Sequence, residues 1–161
     1  MYRLPTISAA LCAAALLGGP ALAQSPAPYG ETINIETAKK AAAAAEAEAK
    51  KNGWAMCIAV VAPSGDLVYF ERMDNCQFAS IAISQHKARA AATFRRPTKS
   101  FEDRVAAGGA GITALTLDGV IASEGGIPVL VGGKIVGAMG CSGGSGQQDG
   151  QTCQAGVAAV K

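Results

Sequence analysis

The stretch from Glu124 to Gly156, EGGIPVLVGGKIVGAMGCSGGSGQQDGQTCQAG, leaves few options for the chain around it. Two apolar runs, Ile127–Val131 and Ile135–Met139, flank Gly132 and Gly133. A glycine pair between such runs predicts a hairpin. The second run passes into Gly140-Cys141-Ser142-Gly143-Gly144-Ser145-Gly146, then Gln147-Gln148-Asp149, then an alanine-rich segment that reads as a helix. A strand feeding a glycine-rich loop and a helix start is a place where backbone N–H groups converge on an anion. The same residues also read as a plain connector, closed by Asp149 as the helix N-cap.

The N-terminus is expected to lie outside the fold. Arg3 supplies a positive start, Ile7 to Leu17 an apolar segment, and Ala21-Leu22-Ala23 a small-x-small cleavage signature. Residues 1–23 therefore read as a signal peptide, and the protein as periplasmic or secreted, with no stable membrane insertion. Residues 24–32, with Ser25-Pro26-Ala27-Pro28, read as a flexible arm, and residues 33–161 as a single domain. Loss of Arg3 lowers the formal charge from +2 to +1, which gives no support to a nucleic-acid partner. Of the five cysteines, Cys12 leaves with the signal, and Cys57, Cys76, Cys141 and Cys153 remain. An even number in an oxidising compartment points to two disulfides. With no Cys-x-x-Cys pair and His86 as the one histidine, a structural metal site is not expected.

Along the chain, Asn34 is placed to cap a helix over Ile35–Lys51, rich in Ala, Glu and Lys, with Gly53 just past its end. Trp54–Ala62 is nearly continuously apolar and reads as a central strand. Pro63-Ser64-Gly65-Asp66 turns it, and Leu67–Met73 returns beside it. A second helix spans Phe78–Phe94 and stops before Pro97. Thr98 or Ser100 caps a short third helix to about Ala107. Ile112–Ile121 fits a helical turn followed by a short strand at Val120–Ile121. The order of elements predicts an α+β fold with hairpin-connected, antiparallel strands.

Several pieces in order carry a resemblance: Ile58-Ala59-Val60-Val61 with Ser64-Gly65, Arg72-Met73-Asp74, and Lys87-Ala88-Arg89 leading to Phe94-Arg95-Arg96-Pro97-Thr98. They continue with Glu124-Gly125-Gly126-Ile127-Pro128, Gly137-Ala138-Met139-Gly140, Ser142-Gly143 and Gln148-Asp149. Together they resemble the family of heme-binding and heme-degrading proteins, which also includes glycolate-operon proteins and the C-terminal domain of some corrinoid adenosyltransferases. The resemblance implies a profilin-like, layered α/β domain: an antiparallel sheet of about five strands, helices on both faces, and assembly into homo-oligomers. It also implies heme as the small-molecule ligand, in heme or iron handling or sensing.

A heme site needs an axial ligand, an apolar slot and cations for the propionates. The candidates are His86 or Met73 for iron, Arg72, Lys87, Arg95 and Arg96 for the propionates, and Thr98 as a weak ligand. His86 reads equally well as an exposed helix histidine, and Met73 as core filling. The glycine-rich candidates for a ligand or anion loop are Gly125, Gly126, Ser142, Gly143, Gln148 and Asp149. Two other readings stay open: an enzyme acting on a small organic acid held by Arg72, Asp74 and the Ser142–Asp149 loop, and an interaction module for a membrane sensor. Spacing alone allows three disulfide connectivities. If Ile135–Cys141 runs antiparallel beside Trp54–Ala62, all four cysteines gather at one end of the sheet. Cys141–Cys153 with Cys57–Cys76 is then preferred, since the first pair brackets the loop.

Overall fold

The computed structural model describes residues 26–161. The expected signal peptide lies outside the described residues. The elements are α1 (Ile35–Lys51), β1 (Cys57–Val61), β2 (Leu67–Arg72), α2 (Ala79–Phe94), α3 (Lys99–Ala106), a 3-10 helix (Gly109–Thr116), β3 (Gly126–Val131), β4 (Lys134–Ser142) and α4 (Gly146–Ala158). Asn34 caps α1 as the sequence predicts: its Oδ1 accepts from Thr37 N at 2.9 Å. Gly53, at φ +71°, takes the left-handed position that ends the helix.

The described strands form one antiparallel sheet in the order β2-β1-β4-β3. It has four strands rather than the five expected. Val120 and Ile121 form no strand; Val120 N closes a turn on Leu117 O at 3.2 Å, with Gly119 at φ +77° just before it. Glycines on both sides of the Gly109–Thr116 segment keep it in tight turns instead of an extended ladder. Residues 28–33 add a short extra seam beside the start of β4, through Gly30 N to Ile135 O, Ile135 N to Pro28 O and Ile33 N to Val136 O. The β3–β4 hairpin turns at Gly132 and Gly133, both with positive φ, between the paired Val131 and Lys134.

Every residue of β1 is buried, because the strand is covered twice. Ile58 and Val60 face the core shared with Ala38, Ala42, Ala45 and Ala49 of α1 and with Met139 and Cys153. Ala59 and Val61 face Ala88, Ala91 and Ala92 of α2 on the other side. Small residues let the helices lie close to the sheet. A Cβ at Gly140 of β4 would collide with the Ser84 carbonyl of α2. That contact fixes α2, and with it the side chains it sends through and away from the sheet.

Both disulfides form as preferred from the antiparallel arrangement: Cys57–Cys76 and Cys141–Cys153, separated by 19 and 12 residues. The register explains why. Cys57 pairs with Ser142 and Ile58 with Cys141, so the start of β1 and the end of β4 coincide.

Candidate functional site

The glycine-rich loop does hold an anion, and the anion is the chain's own Asp149. Ser145, not Asp149, is the N-cap of α4. Its Oγ accepts from Gln148 N at 3.3 Å while Gln148 Oε1 accepts from Ser145 N at 2.9 Å, a reciprocal capping box. Asp149 is thereby placed in the first helical turn, where a carboxylate is favoured by the helix dipole. Gly144 N donates to its Oδ1 at 3.0 Å. Lys87 of α2 donates to its Oδ2 at 2.7 Å and to the Glu124 carbonyl at 2.6 Å.

Both side chains of this pair are buried, at 2% and 3% exposure, so the pair sits in a low-dielectric interior rather than at a solvated rim. Burial pushes the Asp149 carboxyl above the ordinary carboxylate range. The Lys87 ammonium and the loop amides of Gly144 and Gly143 pull it back. Lys87 thus ties α2, the Glu124 loop and α4 together across the sheet.

Gly125 and Gly126 lie over this pair. A Cβ at Gly125 would stand 2.8 Å from Asp149 Cβ and 3.0 Å from Lys87 Nζ; one at Gly126 would collide with the Lys87 carbonyl. Thr98 is fully buried and pairs with Gly126 twice: its Oγ1 accepts from Gly126 N at 2.9 Å, and its N donates to Gly126 O at 3.0 Å. It is not a side-chain cap for α3, as the sequence had suggested. The strand-end N–H at Gly126 takes the hydroxyl, while the first amides of α3 are met by the Pro97 and Thr98 carbonyls.

Two clefts open near these residues. The first, about 390 Å³, lies between α3, the start of β3 and α4, lined by residues that include Pro97, Lys99, Glu124, Gly125, Gly126 and Ile127 with Gln147, Gly150, Gln151 and Gln154. The second, about 530 Å³, lies on the outer side of α2 and is lined by Ala82, Gln85, His86, Arg89, Asp118 and Gly119. Lys87, Thr98, Gly125, Gly126 and Asp149 therefore gather beneath or within the first cleft, while His86 opens into the second. Neighbours in sequence, His86 and Lys87 are on different sides of the helix, His86 exposed and Lys87 buried.

The other candidates are dispersed. Arg72 stacks on Phe78 just ahead of α2, its Cζ 5.0 Å from the ring centroid; Arg95 sits just past the end of α2 against the Tyr29 ring at 5.5 Å. The sixteen residues of α2 between them span about 24 Å, too far for one ligand to bridge both. Met73 Sδ accepts from Met56 N at 3.4 Å and is half-buried. Ser142 Oγ donates to Ser80 Oγ at 2.9 Å in the interior. Arg72 and Asp74 line neither cleft, so they share no pocket there with the Ser142–Asp149 loop.

Sequence reasoning names Glu124 only inside a motif and does not single out Glu102, Lys99 or, in α4, Gln147, Gln151 and Gln154. Glu102 Oε2 accepts from Glu124 N at 2.7 Å and so orders the loop over the first cleft. The legible signal was the spacing of Gln147, Gly150, Gln151 and Gln154, which places all four on one helix face.

The fold is thus a layered α+β domain in which a buried lysine–aspartate tie lies beneath two glycines, with a cleft on either side of α2. The chain belongs to the HbpS-like family, described as haem-degrading proteins, whose model matches residues 33–158. It is 42% identical over 111 residues to protein GlcG of Escherichia coli K12, covering 68% of this chain and 81% of GlcG. Among solved structures it is similar to a double mutant of HbpS from Streptomyces reticuli, at 32% identity and TM-score 0.74, covering 96% of this chain and 99% of that one. Protein ORFY of Klebsiella pneumoniae superposes at TM-score 0.77 with 27% identity, covering 85% and 96% of the two chains. The fold is also that of the PduOC–heme complex, at TM-score 0.73 and 23% identity, over 81% of this chain and 96% of that one.

Proposed function

We propose that this is an exported heme-binding protein, with heme held on the outer side of α2 and ligated by His86. The observation that carries the site is the second cleft. It holds the chain's one imidazole, exposed and with no side-chain hydrogen bond to the described residues, together with Arg89, whose Nε donates to the Gly65 carbonyl at 3.3 Å, and with Asp118. Membership of a family described as haem-degrading supports the ligand class.

Two of the three requirements of a heme site are met within one chain: a nitrogen ligand for iron and a guanidinium suited to a propionate. The third is met in part. Ile112, Leu115 and Leu117 stand exposed on the segment that leads directly into Asp118 and Gly119 of the cleft. They offer an apolar lip but not a closed slot, and a second copy of the chain supplies the opposite wall in this reading. Bound heme would contribute redox-active iron; the protein's part is to ligate it, orient the propionates and limit water. Arg72 and Arg95 lie beyond the two ends of α2 and Lys87 is committed inside the domain, so Arg89 takes the propionate role first given to them; Thr98, also committed inside, is no iron ligand in this reading.

The test is a hemin titration of the exported form, followed by the Soret band and by sedimentation. The expected result is a saturable Soret shift that is lost or moved in His86→Ala. No saturable band in the unaltered protein would refute heme binding; a band unchanged in His86→Ala would refute this site.

A further inference from the structure

The first cleft carries a different chemistry from the second, and its charge is the reason. Glu124 extends along the first turns of α4, where a Cβ at Gly150 would collide with its Oε1 and a Cβ at Gly146 would stand 3.3 Å from its Cβ. Among the described residues its carboxylate has no ion-pair or hydrogen-bond partner, although its backbone N and O are both engaged. Lys99, which also lines the cleft, is ion-paired on its own helix to Asp103 and, at 3.8 Å, to Glu102. Lys87, the other cation close by, is spent on Asp149 below the glycine floor. The open charge facing the cleft is therefore negative.

The rest of the lining suits a small polar guest. Gln147 and Gln154 present primary amides along one face of α4, able both to donate and to accept, while Gln151 already donates to Glu48 at 2.7 Å. Ile127 and Pro97 give the opposite side an apolar character. The volume of about 390 Å³ is at the small end of the range in which compact ligands are held.

We propose that this cleft is a second ligand site, selective for small organic cations, in which Glu124 takes an ammonium or guanidinium group and the α4 glutamines take the ligand's remaining polar groups. A carboxylate ligand of the same length would face Glu124 with no uncommitted cation to meet it. An anionic tetrapyrrole is disfavoured there for the same reason, so the site is independent of heme binding at His86.

Calorimetric titration with three four-carbon probes isolates charge from size: 1,4-diaminobutane, 1,4-butanediol and succinate. The diamine should bind saturably, and the diol and succinate should not. Glu124→Gln should weaken the diamine by at least about tenfold, the usual worth of one charge-assisted hydrogen bond. Gly150→Ala, whose methyl group displaces the Glu124 carboxylate, should weaken it as well. Glu124→Gln keeps the backbone bonds to Glu102 and Lys87, so its circular dichroism and urea midpoint should match the unaltered protein and make it the deciding variant. Succinate or diol binding as tight as the diamine, diamine affinity unchanged in Glu124→Gln, or no diamine binding at millimolar concentration would each overturn the proposal.

Discussion

Lys87→Met removes the ammonium from the interior and leaves the Asp149 carboxylate behind, with Gly144 N still donating to it. Methionine is close to lysine in length and shape, so packing changes little and the lost interaction dominates. Breaking a buried pair from one side costs about 3–5 kcal/mol, because the remaining charge is left uncompensated. The cost should depend on pH. Burial already raises the Asp149 carboxyl against the pull of Lys87 and the loop amides. Without Lys87 its folded-state pKa rises further above the unfolded value of about 3.9. A raised folded pKa leaves stability intact below the unfolded pKa and removes it as pH climbs through the folded value. The deficit of Lys87→Met relative to the unaltered protein should therefore be small near pH 4 and grow toward pH 8. Urea unfolding of the oxidised protein across that range measures it. Replacing both partners, Lys87→Met with Asp149→Leu, should recover much of the loss, since an apolar pair avoids the desolvation that a lone charge suffers. A deficit under about 1 kcal/mol at neutral pH, or one that does not change with pH, would refute a buried and mutually dependent pair.

Thr98→Val keeps the shape of the side chain but leaves Gly126 N without an acceptor; a loss of about 1–3 kcal/mol in urea unfolding is expected, with little change in the spectrum of bound hemin. Cys141→Ser with Cys153→Ser opens a loop closed over 12 residues, and the chain-entropy account expects a loss of about 3 kcal/mol. Amide exchange should speed up first at Gly144 to Gly150, since that bridge is the covalent tie between β4 and α4.

The fold was legible where one physical cause dominates. An unbroken apolar strand must be covered on both faces, and β1 is; a glycine pair between apolar runs must turn, and Gly132–Gly133 does. Antiparallel register brought the four cysteines to one end of the sheet, and the loop bracketed by Cys141 and Cys153 then selected the pairing. Legibility failed where two partners compete for one residue. Asp149 and Thr98 each have the local look of a helix cap, and each is instead claimed by a group distant in sequence: Lys87, 62 positions away, and Gly126, 28 away. Ser145 caps α4 with Gln148 reciprocating, which leaves Asp149 to turn inward.

The basic cluster shows the complementary failure. Arg72, His86, Lys87 and Arg95 look like one cation-rich site when read along the chain, but a helix distributes neighbours around its axis and along its length. At 100° per residue His86 and Lys87 diverge to opposite environments, and the helix length separates Arg72 from Arg95. What the helix does bring together is His86 with Arg89 and Ala82, at spacings of three and four. In the proposed site the cation beside the imidazole is therefore Arg89 rather than Arg72, Lys87 or Arg95. The same geometry separates the two clefts by charge: α2 sends Arg89 outward and Lys87 inward to Asp149, so the glycine-floored side is left with Glu124 as its uncommitted charge. One helix thus sends His86 and Arg89 to the cleft proposed for heme, where Asp118 also stands, and by withholding Lys87 leaves Glu124 unpaired in the cleft proposed for a cation.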